Sequence, residues 1–445
     1  MQLEKRVKPT NPTLPLGAQA NTQGHLNIGG CDVVDLIAEF GSPLYVYDEQ
    51  TIRARAGQYR DGLGSAVNDS LVIYASKAFS NAAVFRVLAE EGLGLDVVSG
   101  GEITLAQHAG FPMDRVYFHG NNKLQDELDL AASVGVGRFV VDNFYDLSRL
   151  DTLGQKLGRR LPALIRVSPG VEAHTHEYRR TGTLDSKFGI PISTGQAETA
   201  VFQATRAKGV ALVGLHAHIG SQIFELAPYL ETIDIVLEFA GRMQQAYGLE
   251  LREFSPGGGW GISYTDEDDP MDTTEVAAAV GREVWQGAAR HGLPNPRVVI
   301  EPGRSIVGQA GVALYTVGAI KDIPGVRRYA SVDGGMADNI RPPLYGSIYQ
   351  PILANRVDEA TNERVTLAGR YCESGDVLVK DAWLPRLRSG DLVALPASGA
   401  YNLAMSSNYN QALRPAVVLV KDGQARLIRR RETYEDLLRT EVALD

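Results

Sequence analysis

The feature that most constrains the fold is a repeated alternation of strand-like and helix-like segments between residues 71 and 301. Short apolar runs are each followed by a longer segment with the spacing of an amphipathic helix. The strand-like runs lie at residues 71–75, 95–98, 116–119, 139–142, 163–168, 213–219, 251–255 and 298–301. Eight units over these 231 residues give about 29 residues each, which suits the roughly 250 residues of a (β/α)8 barrel. We therefore predict an α/β barrel rather than an open doubly wound sheet, which more often has about six strands.

The pattern changes on both sides of this region. Residues 1–44 are mixed and rich in Pro, Gly and Asn near their start, and we expect an arm or strand that joins the other domain. After residue 311 helical spacing becomes scarce, and short alternating runs separated by turn residues predict an antiparallel β domain. The expected organisation is an arm at 1–44, a barrel at 45–310 and a C-terminal β domain at 311–445.

Composition narrows the choice of partner and compartment. The chain has 44 Lys and Arg against 53 Asp and Glu, a net charge of -9, whereas nucleic-acid partners favour a basic surface. Two cysteines are too few for a disulfide framework. The first six residues contain no apolar signal core, and no run of 18 apolar residues occurs. We therefore expect a cytoplasmic protein that contacts neither nucleic acid nor membrane.

Barrel enzymes carry their active sites at the carboxyl ends of the strands, so we looked for reactive groups there. Lys77 follows the first strand, and a lysine amine can attach to a carbonyl compound, although a single lysine is more often an ordinary surface residue. His216 and His218 follow the sixth strand and could ligate a metal. One of them could equally be packed while the other lies on a flat ligand. Since no third ligand stands at a characteristic spacing, we predict no metal.

Two late loops complete the pattern. Three consecutive glycines, Gly257, Gly258 and Gly259, follow the seventh strand and let backbone amides approach a phosphate, or serve a tight turn. Glu301 and Arg304 follow the eighth strand, where they suit a ring nitrogen and an anionic group, or a simple rim salt bridge. Taken together, these groups are typical of a pyridoxal 5′-phosphate site. They are an amine that can bind the aldehyde, a loop for the phosphate, a histidine for the flat ring and a carboxylate for the ring nitrogen.

These segments resemble, in order and spacing, the motifs of the barrel-type pyridoxal-phosphate-dependent decarboxylases, which share their fold with alanine racemase. Within that family they are most similar to the diaminopimelate decarboxylases. The resemblance runs from about residue 44 to 410 and rests on residues 74–78, 96–102, 216–222, 257–259, 301–304, 341–345, 372–376 and 399–401. It implies decarboxylation of meso-2,6-diaminopimelate to L-lysine and carbon dioxide, in lysine biosynthesis.

The resemblance also implies a role for each residue of the site. Lys77 would carry the cofactor covalently, His218 would stack on its ring, and Glu301 would pair with the ring nitrogen. Asp96 would belong to the same cofactor site. The phosphate would be held by residues of several loops, namely Ser221, Gly257, Gly258, Gly259, Gly303, Arg304 and Tyr401.

A homodimer with shared active sites is a further implication of the resemblance, because Cys372 would reach the active site of the other subunit. A thiol can donate a proton to the carbanion that remains when carbon dioxide departs. A lone cysteine is otherwise more often a small buried apolar residue, and this is how we interpret Cys31.

Charge in the predicted pocket favours a substrate with an amino-acid group at each end. Arg304 and Arg341 can bind the distal carboxylate, Glu373 can bind the distal ammonium, and Tyr345 and Tyr401 can add hydrogen bonds. Ornithine and lysine carry only an ammonium at that end and would not require two arginines.

Alternatives to this function remain. The nearest is a sister decarboxylase acting on ornithine, lysine, arginine or carboxynorspermidine. A racemase is less favoured because it would offer a tyrosine where this chain has Cys372, and a non-catalytic binding protein would be expected to lose Lys77.

Two departures from the family pattern adjoin the site. Ser255 and Pro256 precede the glycine loop, where an apolar residue is usual. The segment at 174–190, with its His, Arg and Lys side chains, would fold over the site or form a solvated basic loop. Neither departure changes a residue to which we assign a chemical role.

Overall fold

The structure is a computed structural model that describes residues 11–171 and 186–443. Most of the segment at 174–190 therefore lies outside the described residues. The chain forms two compact units. The first unit comprises Arg53–Gly261 and Pro270–Ile306, and the second comprises Met1–Ile52, Ile262–Asp269 and Val307–Asp445.

The first unit is a closed parallel barrel of eight strands. They are Ser70–Ala75, Gly94–Val97, Val116–Phe118, Arg138–Val141, Leu161–Ser168, Val210–His216, Glu253–Ser255 and Arg297–Ile300. Each strand pairs in parallel with the next, and the last pairs with the first. Every predicted strand is present, and the predicted barrel is confirmed.

Helices follow the barrel strands, as the apolar spacing of the sequence requires. Their bounds are Ala82–Glu90, Gly100–His108, Gln125–Ser133, Phe144–Lys156, Gln196–Arg206, Ala227–Tyr247, Thr273–Arg290 and the short Arg304–Val307. Four of them begin at a residue whose side chain accepts a hydrogen bond from the first turn, and these caps are Asn81, Ser99, Asn143 and Asp272. A further helix, Glu49–Ala66, precedes the first barrel strand.

Large side chains from the barrel strands fill the interior of the barrel. One buried cluster joins residues of six strands, Ile73, Tyr117, Val140, Leu164, Val213 and Val299. The barrel is therefore a packed core rather than a pore, so its functional groups lie at the strand ends.

The second unit is built on a nine-stranded sheet. Its strands are Leu44–Asp48, Gly311–Ile323, Arg327–Val332, Ile352–Leu353, Glu363–Ala368, Val377–Leu384, Leu392–Leu395, Ala416–Lys421 and Gln424–Arg429. A small three-stranded sheet, Gln19–Ala20, Leu26–Ile28 and Cys31–Asp32, precedes the helix Val33–Phe40. Short helices at Arg341–Tyr345 and Tyr434–Leu438 complete the unit.

The second sheet differs from the expected antiparallel arrangement in being mixed. Arg327–Val332 pairs in parallel with Glu363–Ala368, and Leu44–Asp48 pairs in parallel with Ala416–Lys421. All five residues of Leu44–Asp48 are buried, and its other edge pairs with Gly311–Ile323. We had expected the barrel to start at residue 45, but the hydrogen bonds of this strand belong to the second sheet.

None of the helices in the described part of the chain combines the length and the apolar character needed to span a bilayer.

Candidate active site

Lys77 and Asp96 lie at the carboxyl ends of neighbouring barrel strands. Lys77 is an exposed residue of the single turn Ser76–Ala78, which directly follows the first strand. Asp96 is buried near the end of the second strand. Burial raises the pKa of Asp96 to about 7, although the positive charge of Lys77 opposes this shift. The site therefore places an amine and a carboxyl group of raised pKa at neighbouring strand ends, as is common at functional sites.

Glu301 follows the eighth strand, and both of its carboxylate oxygens accept hydrogen bonds. Ser255 donates from Oγ to Oε1 at 2.8 Å, and Nε2 of His216 lies 3.0 Å from Oε2. Burial alone would raise the pKa of Glu301, but His216, His119 and the hydrogen bond from Ser255 hold it well below its usual range. Glu301 is therefore a buried and ionised carboxylate.

His119 adds a second imidazole to this cluster. Its Nε2 lies 3.7 Å from Oδ1 of Asp96 and 3.7 Å from Oε1 of Glu301. Its ring meets that of His216 edge-on, with 5.0 Å between the ring centroids. Burial lowers the pKa of His119 well below its usual value, although the charge of Glu301 opposes this shift. This residue was not predicted from the sequence, although it immediately follows the third strand.

Two hydrogen bonds connect the loops after the sixth, seventh and eighth strands. The amide of Gly258 donates to Nδ1 of His218 at 3.3 Å, and Nη2 of Arg304 donates to Oγ of Ser221 at 3.0 Å. Burial lowers the pKa of His218 well below its usual value, which leaves a neutral ring. The structure thus brings together the predicted ring and phosphate residues of these three loops.

The glycine loop is packed too closely for any side chain. A Cβ atom on Gly258 would lie 1.9 Å from the carbonyl oxygen of Glu301, and one on Gly303 would lie 2.9 Å from Cβ of Ala75. Gly259 also has a φ of 106°, which is a region that favours glycine. These glycines allow the loops at the strand ends to approach one another.

A buried arginine, Arg166, was likewise not predicted from the sequence. Arg166 lies near the end of the fifth strand, with Nη1 3.7 Å from Oδ1 of Asp142 and its guanidinium 4.6 Å from the ring centroid of Phe188. Its signal in the sequence is a charged residue inside an otherwise apolar strand. Burial lowers the pKa of Arg166, and the residue supplies positive charge to the buried carboxyl groups.

Unsatisfied polar atoms mark the centre of this site. Within the described residues, Oδ1 of Asp96, Nε2 of His119 and Nδ1 of His216 are buried and have no hydrogen-bond partner. Such atoms call for a polar ligand or water. The residues present fit pyridoxal 5′-phosphate. The site offers an amine for the aldehyde, an ionised carboxylate for the ring nitrogen, and an arginine with a serine for the phosphate.

The same cluster has the donor set of a metal site. Donor atoms of His119, His216 and Glu301 lie within 4.8 Å of one another. The histidine pair that the sequence suggested, His216 and His218, is a different set. Because Ser255 and His216 already engage the two oxygens of Glu301, we interpret the cluster as a hydrogen-bonded carboxylate.

The predicted substrate residues lie in the second unit. Arg341 is buried, donates from Nη1 to the hydroxyl of Tyr349 at 2.6 Å, and lies 4.5 Å from the ring centroid of Tyr264. Its Nη2 has no hydrogen-bond partner within the described residues. Tyr345 is half-buried at the end of the same short helix. Arg341 is thus a desolvated cation with an available donor.

Cys372 and Glu373 lie on an exposed loop of the second unit. The amide of Cys372 donates to Oδ1 of Asn410 at 2.9 Å, and Tyr409 donates from its hydroxyl to the carbonyl of Cys372 at 3.3 Å. The other cysteine, Cys31, is buried in the core of this unit. The Cys372 loop is therefore exposed but held on both sides of its backbone.

Tyr401 is half-buried and has a φ of 63°. A bulky residue with positive φ is a backbone outlier, and such outliers concentrate at functional sites.

Comparisons with known proteins identify the family of the chain. The family model described as "Pyridoxal-dependent decarboxylase, pyridoxal binding domain" matches residues 49–308. The diaminopimelate decarboxylase of Bacillus subtilis (strain 168) is 46% identical over 425 residues, which cover 96% of this chain and 97% of that protein. The diaminopimelate decarboxylase of Synechocystis is 46% identical over 440 residues, which cover 97% of this chain and 93% of that protein.

A solved structure of diaminopimelate decarboxylase from M. jannaschii, in co-complex with L-lysine, superposes with a TM-score of 0.88 at 32% identity and covers 96% of this chain and 98% of that chain. The chain therefore belongs to the pyridoxal 5′-phosphate-dependent diaminopimelate decarboxylases, the barrel-type carboxy-lyases that convert meso-2,6-diaminopimelate to L-lysine and carbon dioxide.

Proposed function

We propose that three barrel residues hold the reactive part of pyridoxal 5′-phosphate in this decarboxylase. Lys77 attaches through its amine to the aldehyde carbon, His218 provides a neutral flat surface for the ring, and Glu301 keeps a proton at the ring nitrogen. The observation that carries the proposal is the buried, ionised carboxylate of Glu301, since a negative charge stabilises a protonated pyridine. When bound, the cofactor supplies a ring that accepts the electron pair left by carbon dioxide.

The phosphate is assigned to Arg304 and Ser221, together with the backbone of the glycine loop and Gly303. The hydrogen bond between Arg304 and Ser221 supports this, because it holds a guanidinium and a hydroxyl side by side. Tyr401 is assigned a hydrogen bond to the phosphate or the substrate, which its unusual φ supports. Asp96 is assigned to the same cofactor site, which its electrostatic interaction with Lys77 supports.

The distal end of meso-diaminopimelate is assigned to Arg341, Glu373 and Tyr345, with Arg304 as a second positive charge. Arg341 would bind the distal carboxylate, and its partnerless buried Nη2 supports this, because a desolvated donor gains most from a charged acceptor. Glu373 would bind the distal ammonium. The L-lysine in the M. jannaschii relative corresponds to the product that remains.

We further propose a cytoplasmic homodimer with two shared active sites, in which Sγ of Cys372 from one subunit protonates the α-carbon in the other. The exposure of Cys372 on a loop whose backbone is held by Asn410 and Tyr409 supports this role. A thiol on such a loop is available to a second copy of the chain and keeps a fixed position.

A complementation experiment tests the shared site. Lys77→Ala and Cys372→Ala subunits, each inactive alone, are mixed and allowed to exchange. Random pairing would place one intact site in half of the dimers, so about a quarter of the wild-type rate should return. If the sites were not shared, mixing would restore nothing. Light scattering of the same samples checks the dimer.

Substrate choice is tested by carbon dioxide release from meso-diaminopimelate, ornithine, lysine, arginine and carboxynorspermidine. We expect kcat/KM for meso-diaminopimelate to exceed that of each competitor at least about a hundredfold, because a competitor without the distal carboxylate leaves Arg341 unpaired. Equal or faster turnover of a competitor would favour the sister decarboxylase. Arg341→Gln, assayed on the same panel, shows whether the preference depends on this arginine.

A further inference from the structure

Two residues to which no role has been assigned form hydrogen bonds with the Glu301 carboxylate. We call His216 and Ser255 the carboxylate clamp, because each reaches a different oxygen of Glu301, at 3.0 Å and 2.8 Å respectively. Both are almost completely buried. Ser255 also accepts a hydrogen bond from the amide of Gly257 at 3.2 Å, which ties the clamp to the glycine loop.

The hydrogen bonds define one arrangement of the clamp. An ionised carboxylate is only an acceptor, so His216 must carry a proton on Nε2 to bond Glu301. His119 packs edge-on against the His216 ring, and this contact opposes rotation of the ring. Rotation of the His216 ring would also break the hydrogen bond that Nε2 donates to Glu301. The other ring nitrogen, Nδ1, has no hydrogen-bond partner in the described part of the chain.

Burial of the Glu301 charge makes this arrangement costly for stability. Glu301 is buried, and charged groups that face it include Asp96, which is also buried, and the guanidinium of Arg166. Apolar residues of similar volume often stabilise a protein as well as or better than a buried charge does. A role in packing alone therefore does not account for a carboxylate with two dedicated donors.

We propose that His216 and Ser255, with His119 packed against His216, are positioning residues that fix the Glu301 carboxylate in one orientation for the ring nitrogen of the cofactor. The inference rests on the proposed pairing between Glu301 and that nitrogen. It predicts that loss of the clamp weakens recognition of the nitrogen itself, rather than of the whole cofactor.

The test is binding of two cofactors to the apoprotein, measured by fluorescence titration. One is pyridoxal 5′-phosphate, and the other is its 1-deaza analogue, in which a C–H replaces the ring nitrogen. The wild type should prefer the natural cofactor. His216→Leu should reduce this preference about tenfold or more, the usual value of a hydrogen bond to a charged group. Ser255→Ala should reduce it severalfold, and His216→Gln, which can still donate, should keep most of it.

The matched control is His291→Leu, since His291 lies 3.1 Å from the carboxylate of the exposed Asp234 in the same unit. It should leave both affinities unchanged. The inference is overturned if His216→Leu weakens both cofactors equally. Should that variant fail to fold, an unchanged preference in Ser255→Ala overturns it instead.

Glu301→Leu separates this inference from the pairing on which it rests. If Glu301→Leu keeps the wild-type preference for the natural cofactor, the pairing of Glu301 with the ring nitrogen is itself wrong. If Glu301→Leu loses the preference while His216→Leu and Ser255→Ala keep it, only the clamp is wrong.

Discussion

Arg341 donates a hydrogen bond from Nη1 to the hydroxyl of Tyr349 across 2.6 Å, and both side chains are buried. Tyr349 in turn donates to Oδ1 of Asn402 at 3.2 Å. The chain of hydrogen bonds holds one edge of the guanidinium and leaves Nη2 as the available donor. This arrangement suits a carboxylate ligand better than a flexible surface arginine would.

Removal of this arginine should impair substrate binding. We expect Arg341→Gln to lower kcat/KM for meso-diaminopimelate about a hundredfold, mainly through KM, because a charge-assisted contact is lost. Tyr349→Phe should cost less, since the charge remains. Steady-state carbon dioxide release measures both, with Arg364→Gln, an exposed position, as the control. An unchanged KM in Arg341→Gln would contradict the assignment.

The two cysteines offer a matched pair of substitutions. Cys372→Ser should lower kcat about a hundredfold or more, the range of general acid catalysis, with little effect on KM. Cys31→Ser places a hydroxyl in an apolar core and should lower the unfolding temperature while the activity of the folded protein is kept. Product formation and thermal melting of both variants provide the comparison. A fully active Cys372→Ser protein would exclude the thiol as the proton donor.

Lys77 should be the point of cofactor attachment. Borohydride reduction of the protein with bound cofactor should leave the cofactor permanently attached to the peptide that contains Lys77, because a reduced imine is stable. The attached cofactor serves as the label. Lys77→Ala should carry no label, whereas Lys208→Ala, at an exposed position, should be labelled like the wild type. Peptide mass spectrometry locates the label, and a label elsewhere in the wild type would refute the attachment.

Asp338 predicts a pH dependence of stability. Burial raises the pKa of Asp338 to about 6 from 3.8, although hydrogen bonds from Tyr315, Gly335 and Tyr45 oppose the shift. Between about pH 4 and pH 6 the folded protein retains a proton that the unfolded chain loses, so stability falls as the pH rises, by about 3 kcal/mol in total.

Asp338→Asn should lack this loss, since an amide does not titrate. Urea denaturation from pH 3.5 to 7.5 measures the difference between the two proteins. That difference should be constant below about pH 4, where Asp338 is protonated in both states, and should move in favour of the variant up to about pH 6. A constant difference over the whole range would contradict the prediction.

Two glycine substitutions should have opposite effects. Gly258→Ala forces a Cβ against the carbonyl of Glu301 and should lower stability by about 1–3 kcal/mol and weaken cofactor binding. Gly64→Ala, in an exposed helical position with no heavy atom within 4 Å of the new Cβ, should raise stability by about 0.5–1 kcal/mol. Thermal melting and cofactor titration distinguish them. A neutral Gly258→Ala would show that the loop can relax.

The barrel was predictable because each strand is a short apolar run with buried residues on both faces. Leu44–Asp48 has the same character, but its partners, Gly311–Ile323 and Ala416–Lys421, are hundreds of residues away. No local pattern identifies such a pairing. The sequence therefore predicted the strand ends of the barrel but not the boundary of the second sheet.

In the site, too, some residues could be predicted from local sequence patterns and others could not. The glycine loop and Glu301 stand out in the sequence because their spacing is unusual. His119 and Arg166 are single polar residues at strand ends, and only the closed barrel brings them near Glu301. Ser255 has no role assigned from the sequence, and its hydrogen bond to Glu301 is visible only in the folded chain.

The position of Leu44–Asp48 has a consequence for synthesis of the chain. This strand precedes the barrel strands in the chain, yet both of its neighbours in the sheet are translated after the barrel strands. Pairings this distant in sequence form slowly. The nascent strand must therefore remain without its partners in the sheet, and in need of protection from aggregation, until the residues that follow the barrel are translated. A fragment that begins at residue 307 would lack a central strand of its own sheet.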